Sequence, residues 1–199
     1  MTKMSLVNSF LFFLVLLTIS SPINSSDNYE IIINPIITKA PPVVIVTDTV
    51  IHKICPRTQD PNLCRYILNQ FKGKPLFPEP LARIIGIAQN HAQKTAKKIW
   101  SLYDSIKDNK SELKLSYNKC LKNYTNAMNL LREAYGFMRA GKASAVKNYS
   151  SLAMAEVHSC DEELAKYQYE PSNLYKDNKE LNKVGSIIYA ICGKLSPGK

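Results

Sequence analysis

Five cysteines and three histidines have the widest chemical range in this chain, as nucleophiles, metal ligands or bridge formers, and their spacing decides between those uses. His52, His91 and His158 lie on three separate segments. The chain has no His-Glu-x-x-His zinc helix and no Gly-x-Ser-x-Gly nucleophile turn, and its acids form no obvious catalytic pair. His158 stands two residues from Cys160 but lacks further ligands at metal-site spacing. We therefore expect no catalytic residue, metal or cofactor, and read the chain as a protein that does no chemistry of its own. Bridge formation remains as the use of Cys55, Cys64, Cys120, Cys160 and Cys192.

Whether thiols pair depends on the compartment. Phe10 to Ile19 is an uninterrupted apolar run behind Lys3, followed by Ser20, Ser21 and Pro22, which is the pattern of a secretory signal peptide with cleavage expected after Ser25. The run is too short to span a bilayer, and no later stretch reaches that length without a charge or proline, so no membrane anchor is expected. The expected destination is extracellular. Four Asn-x-Ser/Thr sequons fit export. Asn24 leaves with the leader, and Asn109, Asn123 and Asn148 stay as candidate N-glycosylation sites. In an oxidising compartment four of the five cysteines pair and one remains single or bridges to another chain.

The formal charge of +10 becomes +9 once residues 1–25, which hold Lys3 and no acid, are removed. Such a balance favours anionic partners, and for an exported protein these are acidic enzymes or, by weak association, an acidic polysaccharide. Nucleic acid is not expected, because the basic residues are dispersed and no basic-aromatic motif occurs. Basic charge on amphipathic helices raises a more distant alternative, a membrane-active or lipid-binding defence protein.

The total of 199 residues suits one compact domain. Tyr29 to Val46 is apolar, β-branched and interrupted by prolines, and is expected to lie along the bundle of helices that follows it. Thr47 or Asp48 can cap a short helix carrying Val50, Ile51 and Ile54, and Pro61 can open a second that reaches about Gln70 with Tyr66 and Ile67 inward. From Leu81 apolar residues recur at steps of three and four through Ile84, Ile85, Ala88, Ala92, Ala96, Ile99 and Tyr103, with Lys94, Lys97 and Lys98 on the other face. A second stripe begins after Asn109 or Ser111 and runs Tyr117, Cys120, Leu121, Tyr124, Met128, Leu131, Tyr135 and Met138, stopping near Ala140 and Gly141. Val146, Tyr149, Ala153, Val157, Cys160 and Leu164 mark a third, and Leu181, Val184, Ile188, Ile191 and Leu195 a fourth, opened by Asp177 with Glu180 as a capping box. The fold class expected is all-α, an up-and-down antiparallel four-helix bundle with an N-terminal helical hairpin and two disulfides.

Cys120 and Cys160 each stand about 20 residues from a turn at Ala140 and Gly141, hence ~30 Å up neighbouring helices at ~1.5 Å per residue. Both lie on the apolar stripe of their helix, where a bridge can close. Cys55 and Cys64 then pair locally, and Cys192 is left as a buried free thiol. Sequence alone permits other pairings.

Ile54, Cys55, Thr58, Pro61 and Cys64 spell I-C-x2-T-x2-P-x2-C, Cys120 and Tyr124 spell C-x3-Y, and Ala153 and Cys160 spell A-x6-C before Asp161 and Glu162. With Leu81 to Ala96 and with Leu174, Asn178 and Leu181, this ordered set resembles the plant invertase and pectin methylesterase inhibitor family over residues 47–195. The resemblance implies bridges between first and second and between third and fourth cysteines, a free fifth, and tight noncovalent inhibition of a cell-wall enzyme. It divides the chain into a leader (1–25), a lead-in (26–46), the helical domain (47–195) and a tail (196–199). Invertase inhibitors of the family carry Pro-Lys-Phe between the last two bundle helices, where this chain has Pro171, Ser172 and Asn173, and Leu164 occupies a place often held by phenylalanine. The departure turns the expected target toward pectin methylesterase, with acid invertase as alternative. Candidate target-binding anchors are Trp100, Tyr103 and the lysines of the first bundle helix.

Overall fold

The structure, a computed structural model, describes residues 42–167 and 172–196. Among these, six α-helices follow in order: α1 (Asp48–Ile54), α2 (Pro61–Asn69), α3 (Glu79–Ser105), α4 (Glu112–Arg139), α5 (Ala143–Leu164) and α6 (Leu174–Leu195), with one 3-10 turn at Cys55–Arg57. α3 packs on α4, α4 on α5, α5 on α6, and α6 back on α3. That closed ring of sequential neighbours is the up-and-down four-helix bundle expected from the stripes. The core is filled by Ile84, Ile85 and Ile99 of α3, Tyr124 and Leu131 of α4, Val146 and Val157 of α5, and Leu181, Ile188 and Ile191 of α6.

The α4–α5 joint sets the register of the central pair. Gly141 adopts a positive φ of 73°, which a β-carbon would disfavour, and so reverses the chain at once. Its N–H donates to the Met138 carbonyl at 3.0 Å and the Lys142 N–H to the Phe137 carbonyl at 2.9 Å, the paired bonds of a Schellman ending. Two rods leaving one tight turn must pass level with each other at equal distances from it. Phe137 accordingly packs on Tyr149 with ring centroids 4.8 Å apart, Asn126 reaches Glu156, and Cys120 is bonded to Cys160 with Cα atoms 4.8 Å apart.

The N-terminal hairpin is locally determined. Thr47 caps α1 by accepting the Val50 N–H at 3.2 Å. Asp60 caps α2 by accepting from Asn62 and Leu63 at 3.1 and 3.0 Å, with Pro61 in the first helical position. The Cys55–Cys64 bridge closes the hairpin at a Cα separation of 5.4 Å. It docks on α6, where Ser186 Oγ accepts the Gln59 N–H at 3.0 Å and Lys183 meets Asp60 at 3.5 Å.

Several expectations need correction. Tyr66 points outward at 69% exposure, because Cys64, Ile67 and Leu68 already fill the inner face of a short helix. Tyr135 is also exposed, and Ala134 takes the inward place where α4 needs a small side chain against its neighbour. Lys98 does not join Lys94 and Lys97 on a free face, since it crosses to Asp177 of α6 at 2.6 Å. The last helix begins at Leu174, one turn before the proposed capping box, so Asp177 lies in its first turn and Asn173 is the N-cap. Of the lead-in, residues 26–41 lie outside the described residues. Val46 is fully buried in the core and Val44 packs against it, and both also pair with the connection after α2: Val44 accepts from Leu76 at 2.7 Å, and Val46 donates to Lys74 at 2.8 Å.

Replacing both Cys120 and Cys160 by serine should lower unfolding stability by about 2 to 5 kcal/mol, because the loop they close is freed in the unfolded chain. Guanidinium unfolding followed by circular dichroism reads the change as a lower midpoint with helicity retained in water.

Candidate functional site

Of the groups that could act chemically, His52, His158 and Cys192 are each engaged by the fold, and His91 is half-buried on α3. His52 Nδ1 lies 2.7 Å from the Asp48 carbonyl on α1, and His158 lies 3.4 Å from Glu162 on α5. Among the described residues, no three His, Cys, Asp or Glu side chains gather as a metal site. Cys192 is buried on α6, and burial pushes its thiol up to about 12 against a smaller opposing effect of Lys147, so it stays protonated and unreactive.

Two polar clusters brace the bundle on either side of the Cys120–Cys160 bridge. In the first, the Tyr124 hydroxyl of α4 donates to Asn178 Oδ1 of α6, and Asn178 Nδ2 donates to Asp161 of α5. Tyr124 and Asn178 are fully buried, so each needs its partner. Burial raises the Tyr124 hydroxyl, and it also raises Asp161 against the opposing hydrogen bond from Asn178. In the second cluster, Glu163 accepts from Ser116 Oγ at 2.7 Å, Lys119 at 3.0 Å and Lys166 at 2.8 Å. These contacts, Lys166 first and then Ser116, bring Glu163 down to about 2.

Asn178 is the polar residue that periodicity alone does not single out as structural. Its signal was its position, since it stands at core spacing between Leu174 and Leu181, where an amide survives only with buried partners. Lys114 was missed altogether. It is buried at 9% exposure and finds no carboxylate; its Nζ donates to the Ile106 carbonyl at 2.6 Å and to Asn109 Oδ1 at 2.9 Å, and sits 4.8 Å from the centre of the Tyr103 ring.

That contact separates the two aromatic candidates. Tyr103 is half-buried between the Lys114 ammonium and the Trp100 ring, whose centroid is 5.8 Å away. Trp100 is 57% exposed and so accessible to a partner. Of the sequons, Asn109 lies in the loop between α3 and α4, while Asn123 and Asn148 lie within α4 and α5. A shallow groove along α4 and α5 is lined by Lys119, Lys122, Asn123, Ser159, Glu162 and Lys166. This arrangement offers firmly held surfaces. It is suited to docking.

Two measurements check these assignments. Tyr124→Phe should lose about 1 to 3 kcal/mol in denaturant unfolding, because Asn178 Oδ1 is left buried without its donor. Glu163 favours the folded state above its ordinary value of 4.5, and that contribution is lost as pH falls toward about 2. Glu163→Gln should therefore show a smaller fall in unfolding midpoint than the parent chain between pH 6 and pH 2.5.

Similarity to known proteins follows the same span. The sequence profile described as plant invertase/pectin methylesterase inhibitor matches residues 49–191. A pectinesterase inhibitor of Actinidia deliciosa is 30% identical over 165 residues, covering 79% of this chain and 84% of that protein. Pectinesterase inhibitor 1 of Arabidopsis thaliana is 24% identical over 150 residues, covering 75% and 84%. The crystal structure of a pectin methylesterase inhibitor from Arabidopsis thaliana superposes with a TM-score of 0.58 at 23% identity, over 76% of this chain and 99% of that one. A mutant form of an Arabidopsis inhibitor gives 0.62 at 22% identity, over 74% and 98%. With both bridges inside the matched span, and with it covering all but the ends of the hairpin and of the last bundle helix, the chain belongs to the plant invertase/pectin methylesterase inhibitor family.

Proposed function

We propose that this chain is an exported inhibitor that binds pectin methylesterase as a rigid body and blocks it without chemistry of its own. The observation that carries the reading is the match along most of the chain to proteins named pectinesterase inhibitors. The physical basis is preorganisation: α4 and α5 are cross-linked, and buried polar contacts tie α6 to both, so little ordering is left to oppose association. Net positive charge draws the chain toward an acidic partner and toward acidic pectin, in contacts that weaken with salt. Trp100, exposed near the C-terminal end of α3, is the aromatic candidate a partner can reach.

Export rests on the leader at residues 1–25, which lies outside the described residues. Among those described, no helix is long and apolar enough to cross a membrane. On the leader's account the proposed destination is the apoplast, with the vacuole as the alternative.

Acid invertase is the second reading, because the family's description includes it. Ser172 and Asn173 in place of the Lys and Phe of invertase inhibitors favour pectin methylesterase. A lipid-binding role fits less well, since the apolar stripes of the bundle helices are buried against one another.

Titrating the refolded, oxidised chain against panels of plant pectin methylesterases and acid invertases at mildly acidic pH should abolish activity in the first panel and spare the second. Inhibition of invertases alone would transfer the assignment, and indifference of both panels would refute an inhibitor role. Dye-filled acidic vesicles should remain intact at the same concentrations.

A further inference from the structure

We propose that Asn109 is the principal N-glycosylation site of the exported chain, an inference that rests on the secretory reading above. Three sequons survive leader removal, at Asn109, Asn123 and Asn148, and the fold treats them differently.

Asn109-Lys110-Ser111 occupies the loop between α3 and α4, with Asn109 exposed. Its Oδ1 accepts from the buried Lys114 ammonium at 2.9 Å. An ammonium has only donors, so the amide oxygen must face it, and the amide nitrogen is turned the other way. Among the described residues no hydrogen bond holds that nitrogen. Ser111, the third sequon residue, is the N-cap of α4 but makes no capping hydrogen bond with its side chain. Among the described residues, neither the acceptor nitrogen nor the hydroxyl that a sequon requires is held by a hydrogen bond.

The other two sequons are wound into helices. Thr125 donates its hydroxyl to the Leu121 carbonyl at 2.8 Å, and Tyr124 beside it is fully buried. Ser150 is buried at 1% exposure. Each can be presented to a glycosyltransferase only while α4 or α5 is unformed, whereas Asn109 stays presentable before and after folding.

Modification also leaves the Lys114 anchor intact. The amide nitrogen attacks the anomeric carbon of an oligosaccharide carried on a polyprenyl diphosphate. The new N–C bond forms as the C–O bond to the diphosphate breaks; the amide gives up one proton, and the lipid diphosphate departs with the electron pair. Oδ1 keeps its lone pairs and still accepts from Lys114. Ser111→Ala therefore separates glycan from anchor, since it removes the sequon without touching Asn109.

The full chain should be translated with microsomes and exposed to protease, and its protected fraction treated with glycosidase and mapped by mass spectrometry. Asn109 should be the most occupied site, and Asn109→Gln and Ser111→Ala should each abolish the dominant glycoform as one mobility step. Protected chains with Asn109 bare, or with Asn123 or Asn148 more occupied, would overturn the proposal. Chains that protease destroys would show instead that export fails, and the proposal would fall with it.

Discussion

A single covalent tie between α4 and α5 is the constraint from which the rest of the bundle takes its register. Cys120 and Cys160 can meet only if the two helices leave their turn in one particular phase, and the Gly141 Schellman ending supplies that phase. Once the level is fixed, the helices bring Glu163 within reach of Ser116 and Lys119, and Asp161 within reach of Asn178. The disulfide, the turn and the two polar clusters therefore specify one geometry in four ways. Shifting α5 by a turn, ~5.4 Å, would break all of them together.

The parts of this fold that were legible in sequence are those set by local chemistry or by strict period. Thr47 and Pro61 announce the hairpin helices because capping and a first-turn proline act within three residues, although the cap on α2, Asp60, was not singled out. The four stripes announce the bundle, and the distances from Gly141 announce the level of the central bridge. What could not be read depends on which side chain a neighbour selects. On α4, Tyr135 and Ala134 both lie near the inward face, and only the closeness of the adjoining helix decides that alanine enters and tyrosine leaves. Lys98 looks solvated until Asp177 arrives from 79 residues away in sequence. Lys114 could not be placed because its acceptors are a carbonyl and an amide, not a carboxylate that charge pattern would reveal.

The candidate site divides along the same line. Cysteine chemistry was legible because bridging depends on a few fixed lengths, whereas a docking surface has no motif. Its character comes from what the fold does not use. Part of the positive charge is held in ion pairs within the chain, with Lys98 on Asp177, Lys119 and Lys166 on Glu163, and Lys183 on Asp60 and Glu180. Lysines such as Lys94 and Lys97 are left exposed and dispersed, a pattern that steers encounter over distance better than it defines a contact.

An inhibitor that forms no covalent bond has only affinity with which to act, and affinity is reduced by every degree of freedom lost on binding. The bridges and buried polar contacts remove those freedoms during folding, before any partner is met. The fifth cysteine follows the same logic by a different route. In an oxidising compartment an accessible thiol would exchange with either bridge and scramble the register, but Cys192 is buried and its thiol is pushed up to about 12, so the attacking thiolate is scarcely populated. Burial thus protects the cross-links as effectively as a partner would, and the single unpaired cysteine is compatible with a scaffold whose function depends on those cross-links persisting.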